Sequence, residues 1–301
     1  MDLWIPDRPD RDAVGDLPEQ VALHLIPGSA APPQAILDAQ LLVPDPENHR
    51  VLGLLGRMPR LRVIQTLSAG IDWLPPIPQG VTLCDARGTR DVAVAEWVLA
   101  AILASTRMLG ELRDCQREHE WRWRTSGELA GSRVMILGYG SIGVAVEARL
   151  AALEVDLVRV ARHARAGVHS VDDLRSLIGL VDIVVVLLPL TPDTRGLLDR
   201  DLLACMRPGA LLVNAARGPI VNSDALLELL RAGRLRAALD VTDPEPLPSD
   251  HPLWDAPNTL ITPHFAGDTA AAERRAFALV GDQVRRYVQG EPLVNVVEHG
   301  Y

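Results

Sequence analysis

Four side chains able to handle protons or anions follow apolar runs in the last third of the chain. Arg217 closely follows Leu211–Asn214, in Ala215-Ala216-Arg217-Gly218. Asp240 lies near the end of Ala237–Val241, and Glu245 comes next in Asp243-Pro244-Glu245-Pro246, whose prolines stiffen the loop. His264 follows Leu260–Thr262, in Thr262-Pro263-His264-Phe265-Ala266-Gly267. Histidine exchanges a proton near neutral pH, a neighbouring carboxylate favours its charged form, and arginine presents a planar, permanently charged fork. Taken singly, such a histidine is usually a hydrogen-bonded structural residue and a Pro-Glu-Pro a surface turn. Their common position just past strand-like runs is harder to dismiss.

The elements that must position them begin at Arg133–Arg165. There Val134–Leu137 meets glycines spaced G-x-G-x-x-G, namely Gly138, Gly140 and Gly143, with Ser141 and Ile142 opening an alanine-rich helical stretch. A second apolar run, Val155–Ala161, completes a strand–turn–helix–strand unit. Gly138 permits the turn, Gly140 admits a pyrophosphate close to the backbone, and Gly143 allows helix and strand to pack closely. Phosphates would rest on the helix N-terminus, where unpaired N–H groups and the dipole favour anions. The pattern predicts dinucleotide binding.

Further strands are expected at Val21–Ile26, Leu41–Val43, Val63–Leu67, Val81–Cys84 and Ile183–Leu188, the last running into Leu188-Pro189. Helical patterns fall at Pro33–Gln40, Asn48–Arg57, Val92–Met108 and Ala270–Gln289. This alternation predicts an α/β protein with a doubly wound parallel sheet. No internal repeat is visible. Ser68-Ala69-Gly70 follows a strand and could turn backbone N–H groups toward an anion. Arg87 and Arg90 follow another, where one of them could meet a second anionic group. The apolar stretch Val92–Met108 has little polar face, so it is buried or packed between subunits. Trp121 and Trp123 alternate with arginines. Glu118, Glu120 and Glu128 cancel that charge, so the stretch is expected to be a surface segment with anchoring aromatics rather than a nucleic-acid site.

Composition narrows the classes. The chain has 301 residues, 48% hydrophobic and 23% charged, enough for two ordinary domains. A net charge of −9 argues against nucleic acid or an anionic membrane as partner. Cys84, Cys115 and Cys205 lie far apart, forming neither a disulfide framework nor a zinc site, and are expected as buried thiols. No metal is implied. The start MDLWIPDRPDRD does not read as a signal peptide, and no window approaches a membrane-spanning run, so a cytoplasmic protein is expected.

Taken together, Leu137–Gly143, Val213–Gly218, Leu239–Val241 with Glu245-Pro246, and Pro263–Gly267 resemble the D-isomer-specific 2-hydroxyacid dehydrogenases. The likeness extends to Gln65–Asp72, Val94-Ala95-Glu96, Leu188–Thr191 and Gly290–Val297, covering nearly all of the chain from about residue 60 in order. The resemblance implies two Rossmann-like domains: a dinucleotide-binding domain over 101–268, and a smaller, flavodoxin-like substrate domain over 1–100 and 269–301. It implies hydride transfer between a nicotinamide and C2 of a small 2-oxo or 2-hydroxy acid, in a cleft that closes against water. His264 would be the acid–base, Glu245 its partner, and Arg217 the contact to carboxylate and carbonyl. Ser68, Ala69 and Gly70 would hold the substrate carboxylate and Asp240 the nicotinamide carboxamide. Leu188, Pro189, Ala215, Ala216 and Gly267 would line the cofactor. Glu245 argues against the formate dehydrogenase branch, where glutamine is usual.

Cofactor choice turns on the end of the second strand. There an acidic residue binds the adenosine ribose in NAD-specific sites. That position falls on Ala161, followed by Arg162, His163 and Arg165. An absent carboxylate and a present arginine favour a 2′-phosphate, so NADP(H) is expected over NAD(H). Within the family this favours a glyoxylate/hydroxypyruvate reductase type. A 3-phosphoglycerate enzyme is less expected, since the long C-terminal extension of some such enzymes is not seen. The competing reading is a nicotinamide-dependent regulatory protein resembling the C-terminal binding proteins of transcription. Relatives pair through the region of Val92–Met108, so a homodimer is expected.

Overall fold

The computed structural model describes residues 1–28 and 31–298. It divides into two compact units, Met1–Arg90 with the segment beginning at Asp268, and Asp91–Gly267. The expected boundary near residue 100 would cut the helix Asp91–Thr106, which instead lies whole in the second unit. Its buried residues, among them Val94, Trp97, Val98 and Ile102, pack with Val134, Ile136, Leu211 and Val213 of that unit's strands. The helix's apolar character is thus largely met inside its own unit. The last three residues of the expected span 269–301 lie outside the described residues.

The first unit contains β1 (Asp2–Pro6), β2 (Ala22–Ile26), β3 (Leu41–Leu42), β4 (Val63–Gln65) and β5 (Thr82–Cys84). They form a parallel sheet in the order β2-β1-β3-β4-β5, the flavodoxin-like arrangement. The sequence reading leaves out β1, although it is an interior strand, because Leu3-Trp4-Ile5 is a very short apolar run. Leu3 and Ile5 are fully buried against Ala276, Phe277, Val280 and Val284 of the helix Ala270–Gln289. Thr269 Oγ1 caps that helix by accepting from Ala272 N, and Gly290 ends it with φ 71°. The expected helices at Pro33–Gln40 and Asn48–Arg57 shrink to a 3-10 turn at Gln34–Asp38, a single α-turn at His49–Leu52 and another 3-10 turn at Leu55–Arg57. Pro32-Pro33, Gly53 and Gly56 leave too little good helix former to propagate further.

The second unit contains β6 (Arg133–Leu137), β7 (Asp156–Ala161), β8 (His169–Ser170), β9 (Ile183–Val186), β10 (Ala210–Asn214), β11 (Leu235–Leu239) and β12 (Thr259–Ile261). Their order is β12-β11-β10-β9-β6-β7-β8, all parallel, which is a doubly wound sheet with its switch point between β6 and β9. Ile183–Val186 is buried throughout, as a strand covered on both faces must be. The two-residue β8 is another strand the sequence does not reveal.

Two expectations about side chains need correcting. Cys84 and Cys115 are buried but Cys205 is exposed, because it closes the exposed end of the helix Arg200–Ala204. Trp121 and Trp123 are 98% and 87% exposed, so they anchor nothing within the described residues. No single described helix is long and apolar enough to cross a membrane.

Candidate active site

The glycine turn lies at the switch point, where an open α/β sheet leaves a crevice past its carboxyl ends. Gly138 has φ 111°, and a Cβ there would lie 2.5 Å from the carbonyl carbon of Leu187, which follows β9. A Cβ on Gly143 would reach Gly138 O at 2.9 Å, whereas one on Gly140 would meet nothing within 4 Å. Gly138 and Gly143 let chain pack on chain, and Gly140 leaves open space above the helix Ser141–Leu150. Gly140 caps that helix without a side-chain bond. Among the described residues the N–H groups of Ser141, Ile142 and Gly143 have no acceptor. That cradle fits a dinucleotide pyrophosphate. Leu188 is buried, and Pro189 O accepts from Thr194 Oγ1 at 2.7 Å, which fixes the facing wall.

β10, β11 and β12 bring their loops to the same edge. At the end of β10, buried Asn214 closes the Ala215–Arg217 turn: its Oδ1 accepts from Ala216 N at 3.1 Å and its Nδ2 donates to Arg217 O at 3.0 Å. Arg217 Nη1 donates to Ala216 O at 2.7 Å. Gly218 comes next, and a Cβ on it would lie 1.9 Å from Thr242 O. Only glycine lets these two backbones touch. Both X-Pro bonds of Asp243-Pro244-Glu245-Pro246 are cis.

Past β11, Asp240 is 3% exposed, and its carboxylate accepts three bonds from the loop after β12. Thr262 Oγ1 donates to Oδ1 at 2.6 Å, Phe265 N to Oδ1 at 2.9 Å and Ala266 N to Oδ2 at 2.9 Å. His264 N also donates to Asp240 O at 2.7 Å. The sequence marks Asp240 only as a cofactor contact. It also anchors the histidine loop, and one Oδ2 lone pair remains for a carboxamide donor. His264 itself takes a left-handed φ of 52°. Its Nδ1 lies 2.5 Å from Glu245 Oε1, leaving Nε2 for a substrate. The hydrogen bond to Glu245 raises the imidazole pKa above its ordinary value, burial works against this, and the charge of Glu245 adds to the rise.

In the first unit, the carbonyls of Ser68 and Gly70 are occupied. Ser68 O accepts from Thr66 Oγ1 and Ala86 N, and Gly70 O from Ser68 Oγ and Trp73 Nε1. The N–H groups of Ser68, Ala69 and Gly70 have no acceptor among the described residues, as an anion loop requires. Arg87 and Arg90 are both engaged: Arg87 binds Asp85, while Arg90 pairs with Asp268 and donates to Leu67 O at 3.2 Å, at the foot of that loop. Past β7, Ala161 ends the strand and is buried, and Arg162 pairs with Asp193 at 3.5 Å on the surface. Among the described residues no group of three or more His, Cys, Asp or Glu side chains could hold a metal ion.

What the strand ends share with the glycine turn is one edge of one sheet, the mark of a dinucleotide-binding α/β protein. Comparison with known proteins makes this narrower. Residues 99–266 match the profile of the D-isomer specific 2-hydroxyacid dehydrogenase, NAD binding domain. A glyoxylate reductase of Thermofilum pendens is 35% identical over 77% of this chain and 74% of its own length. A D-3-phosphoglycerate dehydrogenase of Mycobacterium leprae is 34% identical over 95% of this chain and 57% of its own. The chain thus spans about half the length of several curated relatives it matches. A solved NADPH-dependent glyoxylate/hydroxypyruvate reductase of Sinorhizobium meliloti, in complex with NADP, superposes with TM-score 0.81 at 28% identity, covering 99% of this chain and 98% of the other. The chain belongs to the D-isomer specific 2-hydroxyacid dehydrogenase family.

Proposed function

We propose that the protein is an NADP(H)-dependent oxidoreductase acting at C2 of small 2-oxo and D-2-hydroxy acids, of the glyoxylate/hydroxypyruvate reductase type. The observation that carries this reading is the His264–Glu245 pair, on the same sheet edge as Arg217 and the glycine cradle. A bound nicotinamide supplies the hydride. His264 Nε2 gives the proton to the carbonyl oxygen, and Glu245 on Nδ1 keeps the ring oriented and charged. Arg217 holds the carboxylate and polarises the carbonyl. The free N–H groups of Ser68, Ala69 and Gly70 make a loop of the first unit that suits an anion. In this reading the second unit binds the nucleotide and the first carries the substrate loop. Ala161 supports NADP(H), since it leaves a 2′-phosphate unopposed by a carboxylate. The glyoxylate reductase relative and the NADP-bound neighbour support the substrate type.

The test is a panel of glyoxylate, hydroxypyruvate, 3-phosphohydroxypyruvate and branched 2-oxo acids, each with NADPH and NADH. Glyoxylate or hydroxypyruvate with NADPH should give the highest kcat/KM. Preference for NADH would overturn the cofactor reading, and turnover no faster than a His264→Ala variant would favour a regulatory binding protein instead.

The assembly proposed is a homodimer. Two nearly bare tryptophans on one short segment, Trp121 and Trp123, are costly to leave in water. Sedimentation at micromolar concentration should therefore give twice the 32.7 kDa chain mass, and a lone 32.7 kDa species would contradict it.

A further inference from the structure

The chain leaves the first unit after Arg90 and returns to it at Asp268. These two residues form an ion pair, one past β5 and the other just ahead of the helix Ala270–Gln289. Arg90 Nη2 also lies 3.7 Å from Glu273 Oε2, in the first turn of that helix. The other oxygen of Glu273 accepts from Arg8 Nη1 at 3.0 Å, and Arg8 Nη2 donates to Asp45 at 2.7 Å. Charges therefore alternate along Asp45, Arg8, Glu273, Arg90 and Asp268. Arg8 and Asp45 follow β1 and β3, so the series stitches the carboxyl edge of the first sheet to the start of the helix. The side chains of Arg90, Glu273 and Asp45 are each 18% exposed, and pairs so shielded are screened less than bare surface pairs. Acids near a helix N-terminus are favoured by its dipole as well.

Arg90 has a further bond that none of these acids explains. Its Nε donates to Leu67 O at 3.2 Å, one residue before Ser68. The neighbouring carbonyls are also held. Thr66 O accepts from Gln65 Nε2 at 2.9 Å, and Ser68 O accepts from Thr66 Oγ1 at 2.6 Å and Ala86 N at 3.1 Å. Of these donors to Thr66, Leu67 and Ser68, only Arg90 is charged. Its own seat is fixed in turn, since Thr89 O accepts from Arg275 Nε at 2.8 Å and Thr89 Oγ1 donates to Ala86 O at 2.8 Å. A guanidinium that already faces two carboxylates and a carbonyl has its charge matched, so what it contributes is position.

We infer that Arg90 is a positioning residue: held by Asp268 and Glu273, it pins Leu67 and so keeps the N–H groups of Ser68, Ala69 and Gly70 arranged for an anion. The sequence suggests for Arg90 a contact to a second anionic group; its partners assign it to the loop instead. The inference rests on the reading of the protein as a 2-oxo acid reductase that uses this loop. Holding the donors ready before an anion arrives removes the cost of ordering them on binding.

The test uses the full-length protein with Arg90→Ala and the isosteric Asp268→Asn, which keeps the shape and removes one charge. Steady-state kinetics with glyoxylate and hydroxypyruvate are measured beside hydrogen exchange of the peptide spanning Ser68–Gly70. Arg90→Ala should raise KM for the oxo acid about 10-fold, on the scale of one hydrogen bond from a charged group. Its kcat should stay within about threefold and its affinity for the nicotinamide should not change. Exchange at Ser68–Gly70 should quicken by a similar factor. Asp268→Asn should move both readings the same way by less, and guanidinium ion at millimolar concentration should restore part of the KM in Arg90→Ala only. A KM that rises while exchange stays parental would make Arg90 a direct contact and overturn the inference. Parental values for both readings, or a uniform loss in kcat, cofactor affinity and Tm, overturn it equally. A parent that reduces no 2-oxo acid removes the enzyme reading instead, and exchange at the loop then decides the role of Arg90 alone.

Discussion

Replacing His264 by alanine should lower kcat for 2-oxo acid reduction by about 10²- to 10⁴-fold, the usual worth of a positioned proton donor. Affinity for the nicotinamide should not change, since the glycine cradle past β6 is untouched. The pair with Glu245 fixes the sign of the pH dependence. Reduction needs the imidazolium, and Glu245 keeps the ring charged above its ordinary value of 6.5. The rate of reduction is therefore full at low pH and falls as pH rises through the elevated pKa. Glu245→Gln preserves the shape and removes the charge, so that fall should move to lower pH. Oxidation needs the neutral ring, so its limb should rise with pH and shift the same way. A His264→Ala protein with parental turnover, or a Glu245→Gln profile that stays in place, would sink the assignment.

Arg217→Ala should cost about 10²- to 10³-fold in kcat/KM for the oxo acid, comparable with losing a fixed donor aimed at developing negative charge. Arg217→Lys should recover little of it, because an ammonium cannot span a carboxylate and a carbonyl with one planar fork. The loss should appear in both kcat and KM, since in the proposed reaction the same group would bind the ground state and stabilise the alkoxide. The buried amide of Asn214 fixes the backbone turn that carries Arg217. Unchanged kinetics in Arg217→Ala would remove this residue from the chemistry.

Much of the site was legible because its residues follow strands that announce themselves. β6, β9 and β10 are dense apolar runs, and Arg217, Asp240, Glu245 and His264 stand past β10, β11 and β12, whose apolar residues the sequence also shows. The glycine spacing and Ala161 could likewise be read directly. Contacts made between distant stretches could not. Nothing in the sequence says that Asp240 will accept from Thr262, Phe265 and Ala266, because the partners lie 22 to 26 residues away and meet only through the β11–β12 register. The same holds for Glu147, which looks like an ordinary helix surface residue until β7 places Arg159 beside it. Strand β1 escaped notice for the opposite reason: it is deeply buried, but too short to show a period. Trp121 and Trp123 read as anchors because tryptophans usually are, yet nothing in the described chain reaches them.

Gly218 has a consequence for how such an enzyme can diversify. Any other side chain would put a carbon 1.9 Å from the Thr242 carbonyl oxygen, so no amino-acid substitution fits here unless one of the two backbones moves. The segment bearing Arg217 and the one bearing Glu245 are keyed together like two parts cut from one blank. A lineage exploring new substrates has to leave that joint alone and vary loops that are not locked to it, and a library built for altered selectivity does best to hold 217–218 and 242–243 constant.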